Sequence, residues 1–386
     1  MILWCLTGAL AGIIAGLIPG LHSNNVAIIL SVSPLFGEEA MAFMLSLCIT
    51  QAFTEFIPSM LIGIPSENSF ESILPMHRLA LEGRAFHGIC LTTFGALTAV
   101  IAGSILTPIF FIFIEQNSSN IITATPAVLF FALITFIAEG KTIKQKLTVL
   151  FVIIAAGMQG LLFQNQIFPL ITGYFGIAGT FYSLKDEAVK TKQFFKTEID
   201  IGKIKEALVG MIGGAIVSIM PGIGSNTAGG IIKQFRENKN TEDYLTMLGA
   251  INASNFFFSF AMLIALFKAR NGTMLALGEK IVLTHQSLFN GTIIMLFSAG
   301  IGGLASILLA EHALKLFDGK KQKTLGVASI LLMIILTFVF NGTQGLLALA
   351  CASALGIYVI SKKIRRSTCM SSLIVPAMLF YLFILF

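Results

Sequence analysis

Apolar residues run through this chain in stretches that match the thickness of a lipid bilayer, and no other feature restricts the fold as much. The stretches read as 2–19, 23–36, 39–62, 88–114, 121–139, 147–163 and 166–182. After a polar stretch at 183–205 they resume as 206–220, 223–235, 243–267, 288–311, 324–340, 342–360 and 371–386. A hydrocarbon core of about 30 Å is crossed by a helix of about twenty apolar residues. The chain of 386 residues is 56% hydrophobic and 11% charged, with a mean hydropathy of +0.88. A soluble domain of that composition lacks the polar side chains to cover its surface. The expected fold is therefore an all-α polytopic membrane protein, multi-pass in the cell membrane, with the bilayer as its first partner.

The chain also resembles itself. Adding 202 to the first set of stretches nearly reproduces the second, and identities keep that register: Gly8 with Gly210, Gly12 with Gly214, Pro19 with Pro221, Gly20 with Gly222, Ser23 with Ser225, and Asn24 with Asn226. Similar segment lengths arise easily in membrane proteins, so the shared Pro-Gly-x-x-Ser-Asn carries more weight. We read an internal duplication, with one membrane repeat over 1–184, a cytoplasmic linker over 185–205 and a second membrane repeat over 206–386.

Loop charges orient the repeats. Basic clusters fall at Lys141/Lys144/Lys146, at Lys185 to Lys205, at Lys233/Arg236/Lys239, at Lys315 to Lys323 and at Lys362 to Arg366. Two apolar stretches separate each cluster from the next, so all can share the cytoplasmic face. This requires 206–220 and 223–235 to enter and leave on one face, and both are short for a spanning helix at 1.5 Å per residue. The resulting expectation is two inverted-topology repeats with both termini outside, about ten spanning helices and two Pro-Gly re-entrant broken-helix hairpins.

The hairpins are where chemistry is expected. Inverted repeats with broken helices place a binding site near the bilayer midplane. Proline removes a backbone donor and glycine permits a tight turn, while a helix restarting beyond them presents free N–H groups and a positive dipole end to an anion. The candidate substrate-binding residues are Pro19, Gly20, His22, Ser23, Asn24 and Asn25, with Pro221, Gly222, Gly224, Ser225, Asn226 and Thr227. A plainer arrangement, in which the prolines only kink helices and Ser and Asn only cap them, uses the same residues. A further break at Gly63-Ile64-Pro65-Ser66-Glu67-Asn68-Ser69 adds Ser66, Asn68 and Ser69 as candidates, or is an ordinary cytoplasmic loop.

These motifs carry a resemblance. The two Pro-Gly repeats, and the Gly-Ile-Pro-Ser break leading to Pro75-Met76-His77-Arg78-Leu79-Ala80-Leu81-Glu82-Gly83-Arg84-Ala85, resemble the large permease subunit of tripartite tricarboxylate transporters, most of all its archaeal relatives. The similarity spans both halves. It implies a secondary transporter that moves a small organic anion, such as a di- or tricarboxylate, by alternating access. It also implies a small membrane subunit and an extracytoplasmic binding protein as partners. An isoprenoid-phosphate lipid transporter is the alternative, and an intramembrane enzyme lacks a convincing base for Ser23 or Ser225. Where the second half would carry a matching break it reads Leu266-Phe267-Lys268-Ala269-Arg270-Asn271-Gly272-Thr273.

Glu55 stands alone as a carboxyl within an apolar stretch, where a charge is costly and often functional. It is a candidate for coupling transport to H+ or Na+, or else a paired structural carboxyl. Asn252 and Asn255 either face the site or bond between helices. The five cysteines and five histidines have no metal-ligand spacing, and no Walker loop occurs, so no cofactor, catalytic set or ATP chemistry is expected. The net charge of +6 belongs to topology-setting loops and does not point to nucleic acid.

Overall fold

The computed structural model describes residues 1–18, 34–62, 76, 78–80, 82–184, 192–219, 228–229, 232, 240–266, 272–316 and 319–385. Among these, every regular element is a helix. The first half holds α1 (Ile2–Leu17), α2 (Gly37–Thr54), α3 (Phe56–Ile62), α4 (Ala85–Gln116), α5 (Ser118–Ala138) and α6 (Ile143–Leu162). It ends with α7, a continuous helix over 167–183 with a π-helical stretch at Thr172–Ile177. The second half holds α8 (Ile204–Ile219), α9 (Thr241–Leu266), α10 (Gly272–Gly278), α11 (His285–Leu316), α12 (Gly319–Ser361) and α13 (Ser371–Leu385). Among the described residues, eight helices are long and apolar enough to cross a membrane, and α1 and α7 are shorter apolar helices. The chain is an all-helical polytopic membrane protein.

The boundaries follow local chemistry. α1 and α8 are each 16 residues long, and they open at Ile2 and Ile204. α1 stops because Pro19 comes next: a proline pushes the residue before it out of the helical region, and Ile18 is extended at φ −93°, ψ 110°. α12 contains two of the expected stretches, joined end to end at Gly342, whose φ of 61° and ψ of −156° break the helix between 319–341 and 343–361. Only glycine takes such angles without strain.

Two expectations need correction. The stretch 39–62 is not one helix but α2 and α3, with Glu55 as the turn between them. Pro58 explains this, since it has no N–H to return to the carbonyl of Thr54 and so interrupts the helical ladder at Glu55. The segment 268–287, left between the apolar stretches 243–267 and 288–311, is not all loop but contains α10.

α2 and α9 form the centre: each is 94% buried along its most apolar stretch, against 22–44% for the other six candidate spans among the described residues. The two central helices are partnered across the halves. α9 packs most extensively on α4, and α2 packs on α11 as well as on α1. The α4–α9 contact is made by reciprocal glycines. A Cβ on Gly95 would lie 1.9 Å from the Thr246 carbonyl oxygen, and one on Gly249 would lie 2.0 Å from that of Thr92. Between the halves run buried hydroxyl bonds, from Ser298 to Ser46 (2.8 Å), from Thr93 to Ser306 (3.2 Å) and from Ser306 to the Phe53 carbonyl (3.1 Å). A second group sits beside this centre, with α6 packed on α13 and α7 on α12.

Within each half the first helix meets its neighbour in the same way. Gly12 abuts Leu47 and Thr50, and Gly214 abuts Ile251 and Ser254. Thr50 Oγ1 donates to the Ala9 carbonyl (3.1 Å), and Ser254 Oγ donates to that of Met211 (3.5 Å). Ala9 and Met211 lie 202 positions apart, the offset seen in the sequence.

The glycine contacts give a controlled test. Gly249→Ala is expected to lower the thermal unfolding midpoint in detergent, at a cost of about 1–3 kcal/mol for overpacking against backbone. Gly300→Ala, where nothing lies within 4 Å, is expected to leave the midpoint unchanged or raise it.

Candidate functional site

Pro19, Gly20, His22, Ser23, Asn24 and Asn25 lie outside the described residues, as do Pro221, Gly222, Gly224, Ser225, Asn226 and Thr227, and Ser66, Asn68 and Ser69. Lys268 and Arg270 lie outside them too. The helices that lead into these motifs are described. α1 delivers the chain to Pro19, α8 delivers it to Met220 and Pro221, and α3 delivers it to Gly63.

The last turn of α1 rests on the α2–α3 break. A Cβ on Gly16 would meet Thr54 Oγ1 at 2.0 Å and the Glu55 backbone nitrogen at 3.0 Å. On the other side, Gly214 of α8 lies against Ser254 and the Asn255 nitrogen of α9. Glu55 and α9 join the two. Asn252 Nδ2 donates to Glu55 Oε1 and to the Ala52 carbonyl (3.1 Å). The chain of contacts therefore runs from the end of α1 through Glu55 and Asn252 to α9 and on to Gly214 of α8. The helix leading into the first Pro-Gly motif rests on this polar bridge, and the helix leading into the second packs on α9 beside it.

The bridge is dry. Glu55 is 3% exposed and Asn252 is 0% exposed. An acidic or basic side chain at the centre of a membrane helix costs on the order of 3 kcal/mol on insertion scales, so the Asn252 donor is a specific compensation for placing Glu55 there. Asn252 is thus the interhelical partner left open in the sequence, while Asn255 accepts from Ser259 at 3.3 Å. The pairing was not legible beforehand because the two residues are 197 positions apart.

A second polar cluster sits where several helices begin. Glu242, in the first turn of α9, takes Arg84 at 2.6 Å, His87 Nε2 at 3.3 Å and Lys203 at 3.5 Å, while Lys203 also reaches Asp243 at 2.5 Å. His87 Nδ1 bonds Thr197 Oγ1. Burial alone would lower the Lys203 pKa, but the hydrogen bond and charge of Asp243 and the charge of Glu242 outweigh it and hold the ammonium above its usual value. That contribution is complete below the ordinary lysine range and is lost only as pH rises through the raised value, so the ion pair is intact at neutral pH.

The same cluster seats the linker. Phe194 N donates to the Gly83 carbonyl (2.8 Å), Gln193 Nε2 to the Ala80 carbonyl (2.9 Å), and Ala85 N to Gln193 Oε1 (3.1 Å). Residues 192–203 are therefore a docked strap between the halves. A further bridge, Arg365 to Glu139 at 2.6 Å, ties the end of α5 to the approach to α13. Among the described residues no group of His, Cys, Asp and Glu has the arrangement of a metal site.

Long apolar helices packed around a buried carboxyl–amide bridge define a multi-pass helical membrane protein with polar side chains at its core. The chain belongs to the tripartite tricarboxylate transporter TctA family, whose model matches residues 2–371. Membership makes it a transport permease, of a kind that works in a system with other subunits. A curated relative, an uncharacterized protein of Methanocaldococcus jannaschii, is 25% identical over 395 residues, with 99% of each chain covered. No solved structure matches the chain.

Glu242 decides how firmly the helix starts are tied. Glu242→Gln is expected to lower stability by about 1–2 kcal/mol, the lower part of the range for charged hydrogen bonds because a quarter of the side chain remains in water. Glu311→Gln, which removes an exposed pair with Lys315, is expected to leave the detergent unfolding midpoint unchanged.

Proposed function

We propose that the chain is a secondary transporter that moves a small organic anion, a di- or tricarboxylate, across the cell membrane by alternating access. The observation that carries this reading is that α1 packs on the Glu55 break and α8 packs on α9 beside Ile251 and Ser254, which flank the Asn252 that bonds Glu55. In the sequence each helix runs into Pro-Gly followed by Ser and Asn, one set in each half. Helix starts after such breaks offer N–H groups and a positive dipole end, which suit a carboxylate. The substrate-binding residues are then Ser23, Asn24, Asn25 and His22 on one side and Ser225, Asn226 and Thr227 on the other. Pro19, Gly20, Pro221, Gly222 and Gly224 shape the turns, and Ser66, Asn68 and Ser69 come from the chain beyond α3.

The two halves act as inverted repeats in this reading, 1–184 and 206–386, joined by the linker 185–205. The constant offset of 202 and the matched Gly12–Thr50 and Gly214–Ser254 contacts support it. A small membrane subunit and an extracytoplasmic binding protein complete the transport system, and the energy comes from a cation gradient, H+ or Na+, with no bound cofactor.

Uptake of labelled di- and tricarboxylates into proteoliposomes tests the site. Asn24→Ala and Asn226→Ala are each expected to reduce transport of the responsive substrate about tenfold or more. Unchanged uptake in both variants removes the hairpin site from consideration, and transport of an isoprenoid phosphate in place of every carboxylate replaces the substrate class. Topology has its own measurement. Cysteines placed at Lys141 and Lys321 are expected to react with an impermeant maleimide from the same face, and labelling from opposite faces contradicts the inverted arrangement.

A further inference from the structure

We propose that Glu55 is the proton-carrying group of the transport cycle and that Asn252 holds it in both of its protonation states, an inference that rests on the permease reading above. What carries it is the asymmetry of the Asn252 amide. Its Nδ2 is used twice, toward Glu55 Oε1 and the Ala52 carbonyl. Its Oδ1 is fully buried and has no hydrogen-bond partner among the described residues.

Buried acceptors are rarely left empty, because each one forgoes its bonds with water. This one lies on the same amide that touches a carboxyl group. An ionised carboxylate only accepts hydrogen bonds, and Nδ2 supplies a donor. A protonated carboxyl gains one O–H donor and then needs an acceptor. A half-turn of the Asn252 amide exchanges Nδ2 and Oδ1 and provides that acceptor. The pair therefore has one arrangement for each state of Glu55. In the cycle, a proton from water on one face forms the Glu55 O–H bond. That bond later breaks toward water on the other face and regenerates the carboxylate.

The position of Glu55 suits coupling. It is the turn between α2 and α3, interrupted by Pro58, and the last turn of α1 rests on its backbone. Any movement of α1 and its Pro-Gly motif acts on the group that carries the proton. The surrounding elements leave the centre to Glu55. α1 carries no Asp, Glu, Lys, Arg or His, though it brings the Cys5 thiol, and the Cys48 and Cys90 thiols lie on α2 and α4. Apart from these thiols and Cys351 on α12, charged and titratable groups on the packed helices stand toward helix ends: Glu38 and Glu39 on α2, His87 and Glu115 on α4, Glu242, Asp243 and Tyr244 on α9, His285, Glu311, His312 and Lys315 on α11, and Lys320, Lys321, Lys323 and Tyr358 on α12. At 1.5 Å per residue, Glu242 and Asp243 are about 15 Å along α9 from Asn252. Of the acidic and basic side chains, Glu55 and His87 are the buried ones among the described residues.

Infrared difference spectroscopy of the purified full-length protein across a pH titration reads the proton directly and needs no substrate. The wild type is expected to show a titrating protonated-carboxyl C=O band that Glu55→Gln loses and whose midpoint Asn252→Ala shifts. An undiminished band in Glu55→Gln, or no titrating band in the wild type, overturns the proposal. If Glu55→Gln does not fold, Asn252→Ala decides alone, and an unmoved midpoint overturns it. The second arm uses labelled citrate in proteoliposomes. Glu55→Gln is expected to keep citrate–citrate exchange and to lose accumulation driven by an inward proton gradient by about tenfold or more. Accumulation that follows a Na+ gradient and ignores the proton gradient overturns the proposal. A wild type that moves no carboxylate at all defeats the anion reading instead, and leaves the infrared result to judge Glu55.

Discussion

The close approach of α9 to α4 is the contact on which the rest of the structure depends. Lipid offers no hydrophobic drive for one apolar helix to join another, so association relies on van der Waals fit and on polar bonds made where backbones come close. Gly249 on the Thr92 carbonyl and Gly95 on that of Thr246 bring the two helices together without intervening side chains. Each glycine lies in the half opposite its contact, so the interface is reciprocal. Beside this contact Asn252 of α9 bonds Glu55, and Ser306 of α11 bonds both Thr93 of α4 and the Phe53 carbonyl of α2.

That packing turns two helices into a shared centre. α2 and α9 are enclosed by protein along nearly their whole length, and a polar side chain on either can be held only by another part of the protein. Glu55 finds a described partner in Asn252, at the place where Pro58 interrupts the helix and where α1 ends. Breaks in the helical ladder and buried polar side chains thus coincide. The ionic cluster on Glu242 and the docked strap at 192–203 do different work, holding the starts of α4, α8 and α9 in place.

Much of the fold was legible along the chain. The ends of α1, α4, α5, α6, α8, α9 and α13 fall close to the limits read from apolar runs, because lipid demands long uninterrupted apolar helices and polar residues mark where they stop. The break at Glu55 was harder to see, because Glu55 and Pro58 interrupt a stretch that stays apolar on average. The candidate site was legible in part. Glu55 stood out as a charge in an apolar run, and Asn252 as a polar residue without an assigned role. Their bond joins residues that no periodicity relates. The same holds for Glu242, whose partners Arg84, His87 and Lys203 come from two other helix starts.

By itself, the sequence determined that this chain is an all-helical membrane protein. The reason is local: each run must satisfy its own backbone in lipid, and only the residues within the run decide that. It also placed the Pro-Gly motifs, since proline and glycine act on the residues beside them, as Ile18 shows by leaving the helix before Pro19. Tertiary structure alone decided that α9 lies against α4 and α2 against α11, that Asn252 meets Glu55, and that α1 rests on Glu55 while α8 packs on α9 beside it. Those outcomes depend on which glycines face which carbonyls across distant segments. Such a match of shape and hydrogen bonding exists only once the helices have packed.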